Sequence, residues 1–121
     1  MSNTRVATGH GFRVGVEEVL ARIELAAGIR SATAFRHGTL ELKLYAPKQQ
    51  DPQQPHTRDE VYVVVSGNSR FVHGEAVDLV EPGDILFVPA GMAHRFEDFT
   101  HDLVLWVIFY GPEGGEQPGK A

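Results

Sequence analysis

From Ala32 to Tyr110 the sequence is interrupted at short intervals by turn residues: His37-Gly38, Gly67-Asn68, His73-Gly74, Pro82-Gly83 and Pro89-Ala90-Gly91. Gly, Pro and Asn at this spacing punctuate short strands joined by tight turns. Between the breaks lie ATAFR, LELKLY, VYVVV, RFV, AVDLV, ILFV, HRFEDF and LVLWVIFY. LELKLY alternates with period two, which predicts one buried face. VYVVV and LVLWVIFY are apolar on both faces, which predicts strands covered on both sides or placed at a subunit contact. Glu81-Pro82-Gly83-Asp84 carries Pro and Gly at the two central positions of a type II turn. Short strands with regular turns predict an all-β sandwich or jelly-roll barrel.

Upstream, the period changes. In VEEVLARIEL, residues 16–25, apolar side chains recur at 16, 19, 20 and 23, a helical stripe. Glu17 and Glu18 suit the positive end of the helix dipole, and Ala26-Ala27-Gly28 offers a stop. One domain of 121 residues is expected, with an N-terminal arm and helix over 1–31, a barrel over 32–110 and a flexible Gly/Pro-rich tail over 111–121. Cysteine is absent, which excludes disulfides, zinc–thiolate sites and thiol nucleophiles. With no apolar leader at the N-terminus, it also points to a cytoplasmic protein. The longest apolar run, Leu103 to Tyr110, is far below the ~18 residues of a membrane span. A net charge of −5 without a basic cluster argues against nucleic acid and anionic membranes as partners.

Polar residues break this apolar pattern in two places: Gln54-Pro55-His56-Thr57-Arg58-Asp59-Glu60, leading into VYVVV, and His94-Arg95-Phe96, after the Pro89-Ala90-Gly91 turn. On a straight strand Gln54 and His56 point the same way, about 7 Å apart, whereas His56 and Glu60 are about 13 Å apart. For these residues to grip one ion, the chain must bend at Thr57-Arg58-Asp59. A thiol-free set of nitrogen and oxygen donors is what Zn²⁺, Fe²⁺, Mn²⁺, Ni²⁺ or Co²⁺ accepts.

These two segments resemble the paired motifs of the cupins. His56, Glu60 after three residues and Gly67 after six more follow the first motif, with Gln54 where its first histidine stands. Gly83, Pro89, Gly91 and His94 follow the second, with Asp98 at the position where Asn is common. The resemblance spans roughly residues 32–110 and implies a cupin-type double-stranded β-helix. It also implies one divalent metal ion held by His56, Glu60 and His94, with Gln54 either a fourth, weaker ligand or a hydrogen-bonding neighbour. Without Gln54 the set is two histidines and one carboxylate, the pattern of non-haem Fe(II) oxygenases.

By strand parity Tyr62 and Val64 go with Glu60, and Phe96 with His94. Together with Leu42, Leu44 and Trp106 they are expected to line the pocket, against the simpler alternative that all of them are plain core. Tyr45 falls on the face opposite Leu44 and is expected at the surface. Arg58 and Asp59 are expected as rim charges, and His10, His37, His73 and His101 as solvated. Cupins include dioxygenases, isomerases, lyases and binding proteins, so two readings follow: an enzyme using its metal for Lewis-acid or O₂ chemistry on a small molecule, or a module that binds a sugar or organic acid without turnover. The surplus apolar face of VYVVV and LVLWVIFY has to be covered by the N-terminal segment or by a second copy, and a homodimer is expected.

Overall fold

The computed structural model describes residues 5–6, 10–25 and 29–119. Its elements run β1 (Arg5–Val6), α1 (Val16–Leu25), β2 (Ser31–His37), β3 (Leu40–Tyr45), β4 (Asp59–Ser66), β5 (Ser69–His73), β6 (Ala76–Val80), β7 (Ile85–Val88), β8 (His94–Glu97) and β9 (Val104–Tyr110). The all-β expectation holds, and each apolar segment between turns has become a strand. The short β1, inside the stretch read as an arm, adds a parallel edge beside Phe35 and Arg36 of β2. The strands form a six-stranded sheet, β1-β2-β3-β9-β4-β7, and a three-stranded sheet, β6-β5-β8.

Helix α1 has the bounds its apolar stripe predicts. The Glu18 carboxylate, in the first turn, accepts a hydrogen bond from the Gly15 amide at 2.8 Å, satisfying a donor that the helix leaves orphaned. The expected stop at Ala26-Ala27-Gly28 lies outside the described residues. Val19 and Ile23 are buried against the six-stranded sheet in a cluster with Ala34, Leu44, Ala46 and Val104. Burial of side chains of this size contributes roughly 1.5–3 kcal/mol each. The Arg22 guanidinium donates to the Thr33 carbonyl at 2.9 Å and fastens the helix to β2.

The other face of the six-stranded sheet looks toward the three-stranded sheet. Between them lie Tyr45, Tyr62, Val64, Phe71, Val80, Leu86, Val88, Phe96, Leu103, Leu105 and Val107. This sorting corrects two expectations. Leu42, Leu44 and Trp106 belong with the helix-side cluster rather than the barrel interior. Tyr45 is buried in the interior, not at the surface. The alternation of LELKLY was read correctly, but its apolar face packs outward under α1, and its Glu-Lys-Tyr face lines the barrel.

At Gly67 the chain leaves β4 for β5 and so changes sheets. Its φ is +81°, and a Cβ there would lie 2.6 Å from the Leu103 Cα, so glycine alone fits the corner. At the Glu81–Asp84 turn the Asp84 amide donates to the Glu81 carbonyl at 3.1 Å with Gly83 at φ +95°, the type II geometry expected. The stretch after β9, expected as a free tail, is tied down through residue 116. The Gly114 amide donates to the Thr57 carbonyl at 2.7 Å, and the Glu116 amide to Asp59 at 2.8 Å.

Candidate metal centre

Three segments converge between the two sheets. The chain bends at Thr57-Arg58, and the bend brings His56 back over the start of β4. Glu60 is inward-facing on β4, in the six-stranded sheet, and His94 opens β8, in the three-stranded sheet. The turn of the second motif holds the histidine of the first, because the Gly91 amide donates to the His56 carbonyl at 2.8 Å. One donor atom each from His56, Glu60 and His94 lies within 4.8 Å of the other two.

The electrostatics of the cluster are those of a cation site. Glu60 is fully buried, and neither carboxylate oxygen accepts a hydrogen bond while the imidazole facing it is neutral with its proton on Nδ1. A buried, unpartnered carboxylate is strongly unfavourable unless a cation compensates it. His94 Nε2 approaches Glu60 Oε1 at 3.0 Å, and His56 Nε2 approaches it at 3.8 Å. On its far side the His94 ring is fixed by Nδ1 donating to the Met92 carbonyl at 3.0 Å. That bond leaves the Nε2 lone pair of the neutral ring aimed into the cluster, the orientation a metal-ligating histidine takes. The Tyr62 hydroxyl, 3.0 Å from His94 Nε2, donates its proton to Gln53 Oε1, also at 3.0 Å. With His94 neutral, Glu60 Oε1 and His94 Nε2 face each other as two acceptors, and a cation between them, a proton on the ring or a metal ion, reconciles them. Two imidazoles and one carboxylate suit Zn²⁺, Fe²⁺, Mn²⁺, Ni²⁺ or Co²⁺, so the residues present fit a divalent ion.

The same contacts set the titration of these groups. Burial pushes the His94 imidazole down, but Glu60 against Nε2 and the Met92 carbonyl on Nδ1 outweigh it, so its pKa lies above the ordinary histidine value. Burial dominates at His56 and lowers its pKa despite the pull of Glu60. Burial also raises the Tyr62 hydroxyl well above its ordinary range, which keeps the phenol protonated.

The amide that reaches the cluster belongs to Gln53. Its Oε1 lies 3.1 Å from His56 Nε2 and accepts from Tyr62, while its Nε2 donates to Asp51 at 3.0 Å. Gln54, placed by the motif register, is exposed and lines the outer cavity instead. Pro52 and Pro55 bracket an irregular segment, in which strand parity does not decide which amide turns inward. Asp51 anchors this segment, accepting from the Tyr45 hydroxyl and from the Phe96 amide at 2.8 Å. Tyr62, Val64 and Phe96 share the interior face with Glu60 and His94 as their parity indicated, but they are packed core and do not line the cavity, contrary to expectation.

Asp59 is not a rim charge. It is buried, and the amides of Glu116 and Ala90 hydrogen-bond its carboxylate and hold its pKa below the ordinary value. Arg58 lies 3.6 Å from Glu41 and also donates to the Thr39 carbonyl. Of the other histidines, His10, His37 and His101 are exposed, and His73 pairs with Asp78 at 2.7 Å.

A cavity of ≈ 670 Å³ opens beside His56, with Lys43, Tyr45, Gln53, Gln54, Val107 and Phe109 among its lining. The His56 side chain is 34% exposed, whereas those of Glu60 and His94 are fully covered. A small molecule would therefore meet the cluster from the His56 side. No helix among the described residues is long and apolar enough to cross a membrane.

Comparison with known proteins agrees with this architecture. The chain is 40% identical over 81 residues to an uncharacterized protein of Streptomyces coelicolor, covering 65% of this chain and 77% of that one. Among solved structures, a Klebsiella pneumoniae protein with a double-stranded β-helix domain superposes with a TM-score of 0.68 at 15% identity, covering 84% of this chain and 90% of the other. A mannose-6-phosphate isomerase-like protein of Ralstonia eutropha superposes with a TM-score of 0.62 at 22% identity, over 73% of this chain and 89% of the other. Coverage of other matched chains is partial: the chain spans 64% of the plu4264 protein of Photorhabdus luminescens and 46% of the DMSP lyase DddQ of Ruegeria pomeroyi. The cupin domain model matches residues 42–109, more than half of the sequence, and the chain belongs to the cupin family.

Proposed function

We propose that this cupin is a metal-dependent enzyme acting on a small organic molecule, with one divalent ion held by His56, Glu60 and His94. The observation that carries the reading is the Glu60 carboxylate, fully buried and faced by two imidazole nitrogens at 3.0 and 3.8 Å. A bound divalent ion supplies Lewis-acid polarisation of a carbonyl or hydroxyl, or redox chemistry with O₂ if it is iron or manganese. The protein supplies the surroundings. Met92 orients His94, Gln53 and Tyr62 place polar atoms beside the two imidazoles, and Phe109 packs edge-on against the His56 ring. Tyr62 stays protonated and is a hydrogen-bond donor rather than a base. The second reading, a module that binds without turnover, draws on a different observation: no carboxylate is among the cavity-lining residues to take a proton.

Metal analysis of protein purified without an affinity tag tests the proposal, followed by competition titrations with Zn²⁺, Fe²⁺, Mn²⁺, Ni²⁺ and Co²⁺. Stoichiometric binding that disappears in His94→Ala supports the site. Parent protein that takes up none of the five ions overturns it. Turnover screening with the loaded protein, including oxygen uptake with Fe²⁺, then separates catalysis from binding.

We also propose a homodimer. Helix α1 covers the outer face of β2, β3 and β9, yet Ile85 and Phe87 on the edge strand β7 remain 70% and 53% exposed. An apolar edge strand is a template for a second copy. Sedimentation at micromolar concentration would show a dimer that Phe87→Lys dissociates, and a monomeric parent would overturn this.

A further inference from the structure

The cavity beside the candidate metal centre has in its wall a positive charge that no close ion pair neutralises. Lys43 lies on the inward face of β3 between Glu41 and Tyr45, opposite Val107 of β9. It is partly buried and makes no hydrogen bond or ion pair with any described residue. Of the other cations of the lining, Arg30 is paired with Glu24 and donates to the Ala46 carbonyl, while Lys48 keeps its charge but its ammonium is tied to the His101 carbonyl at 2.7 Å. The acids that could have answered Lys43 are engaged too. Glu41 feels the Lys43 charge at longer range but is held by Arg36 at 2.7 Å and faced by Arg58 at 3.6 Å. Asp51 accepts from Tyr45, Gln53 and the Phe96 amide. A half-buried ammonium is poorly solvated and, unlike a surface lysine, gains much from an anion placed against it.

We infer that Lys43 is the counter-ion for the carboxylate of a small organic monoanion, whose other polar end faces the His56–Glu60–His94 cluster. One ammonium with no free guanidinium beside it balances a single negative charge better than a phosphate dianion, which favours bidentate arginine. The carbon skeleton would lie against Val107, Phe109 and Pro47 in the same cavity. This assignment rests on the proposed metal site for the second end of the ligand and on the Lys43 geometry alone for the first.

The test uses matched pairs of probes: lactate with lactamide and mandelate with mandelamide, titrated by NMR into Zn²⁺-loaded parent protein and into chelator-treated protein. The acids are expected to bind about tenfold or more tightly than their neutral amides, the effect of one charge-assisted hydrogen bond. Lys43→Met should erase that preference and Lys43→Arg should retain it, while Zn²⁺ affinity stays at the parent value in both. The parent comparison of acid with amide stands even if a variant folds poorly. Parent protein that holds Zn²⁺ but binds neither acid, or binds acid and amide equally, overturns the inference and leaves the metal site standing. Protein that takes up no metal yet prefers acids through Lys43 upholds the anion site and overturns the metal site.

Discussion

The six-stranded sheet separates two clusters of different character. Between α1 and the sheet lie Val19 and Ile23 of the helix with Ala34, Leu44, Ala46 and Val104, all apolar and all buried. On the other face, the interior cluster includes Tyr45 and Tyr62 and adjoins buried Glu60 and His94. Both clusters draw on the same strands: on β3, Leu44 faces the helix and Tyr45 the barrel. The helix-side cluster contributes through burial alone. The barrel side holds charges that folding by itself disfavours, which is what a binding site looks like when stability and function are separated by one sheet.

The largest expected effect tests the helix side. Leu44→Ala removes a fully buried side chain and should destabilise the protein by about 2–5 kcal/mol, read by chemical denaturation. Metal affinity of the fraction that remains folded should not change. A loss of metal affinity at constant fold would show that the two faces are not independent.

Next comes the barrel side, where a smaller change is expected. Glu60→Gln removes a buried charge whose desolvation cost is offset in part by its pairing with His94, so the metal-stripped protein should stay within about 1 kcal/mol of the parent. Metal uptake should vanish. A strongly destabilised Glu60→Gln protein that still takes up metal would mean the carboxylate is structural.

A smaller effect separates the two neighbouring amides. Gln53→Ala breaks contacts with Tyr62, His56 and Asp51 and should lower stability by about 1 kcal/mol while loosening metal binding. Gln54→Ala, at an exposed position, should leave both near the parent value. The reverse ranking, measured by melting and metal titration, would return the motif register to Gln54.

The smallest effect is the pH profile of the metal-stripped protein. The His94 pKa is raised on folding, so its contribution to stability is complete below about pH 6.5 and is lost as pH rises through its folded value. The His56 pKa is lowered by burial, so its contribution is present above about pH 6.5 and is lost as pH falls through its folded value. The two oppose each other and should leave a shallow stability maximum near neutrality. His94→Gln should remove the alkaline fall and His56→Gln the acid one. A profile unchanged by either substitution would show that these rings do not titrate as their contacts require.

Much of this was legible in the residues. Turn chemistry is local, so Gly67, Gly83 and the Pro89-Ala90-Gly91 turn marked the strand ends, and α1 followed from the stripe at 16, 19, 20 and 23. His56, Glu60 and His94 stood out because charge and imidazole interrupt apolar runs, and the resemblance to the two cupin motifs joined them into one set. Asp51, Gln53 and Lys43 gave no such signal. Asp51 and Gln53 act within an irregular proline-bracketed segment, and Lys43 looked like an ordinary solvent-facing position on an alternating strand.

By itself the sequence determined where the chain turns, which segments are strands and which residues carry metal-binding chemistry, because each depends on neighbours a few positions away. Only the tertiary structure decided which face of each strand is the inside. Period-two alternation separates two faces without saying which one meets the helix and which the cavity. In β3 the apolar face went to α1, leaving Glu41, Lys43 and Tyr45 to line the barrel, and that choice exists only once the helix and the second sheet are both in place.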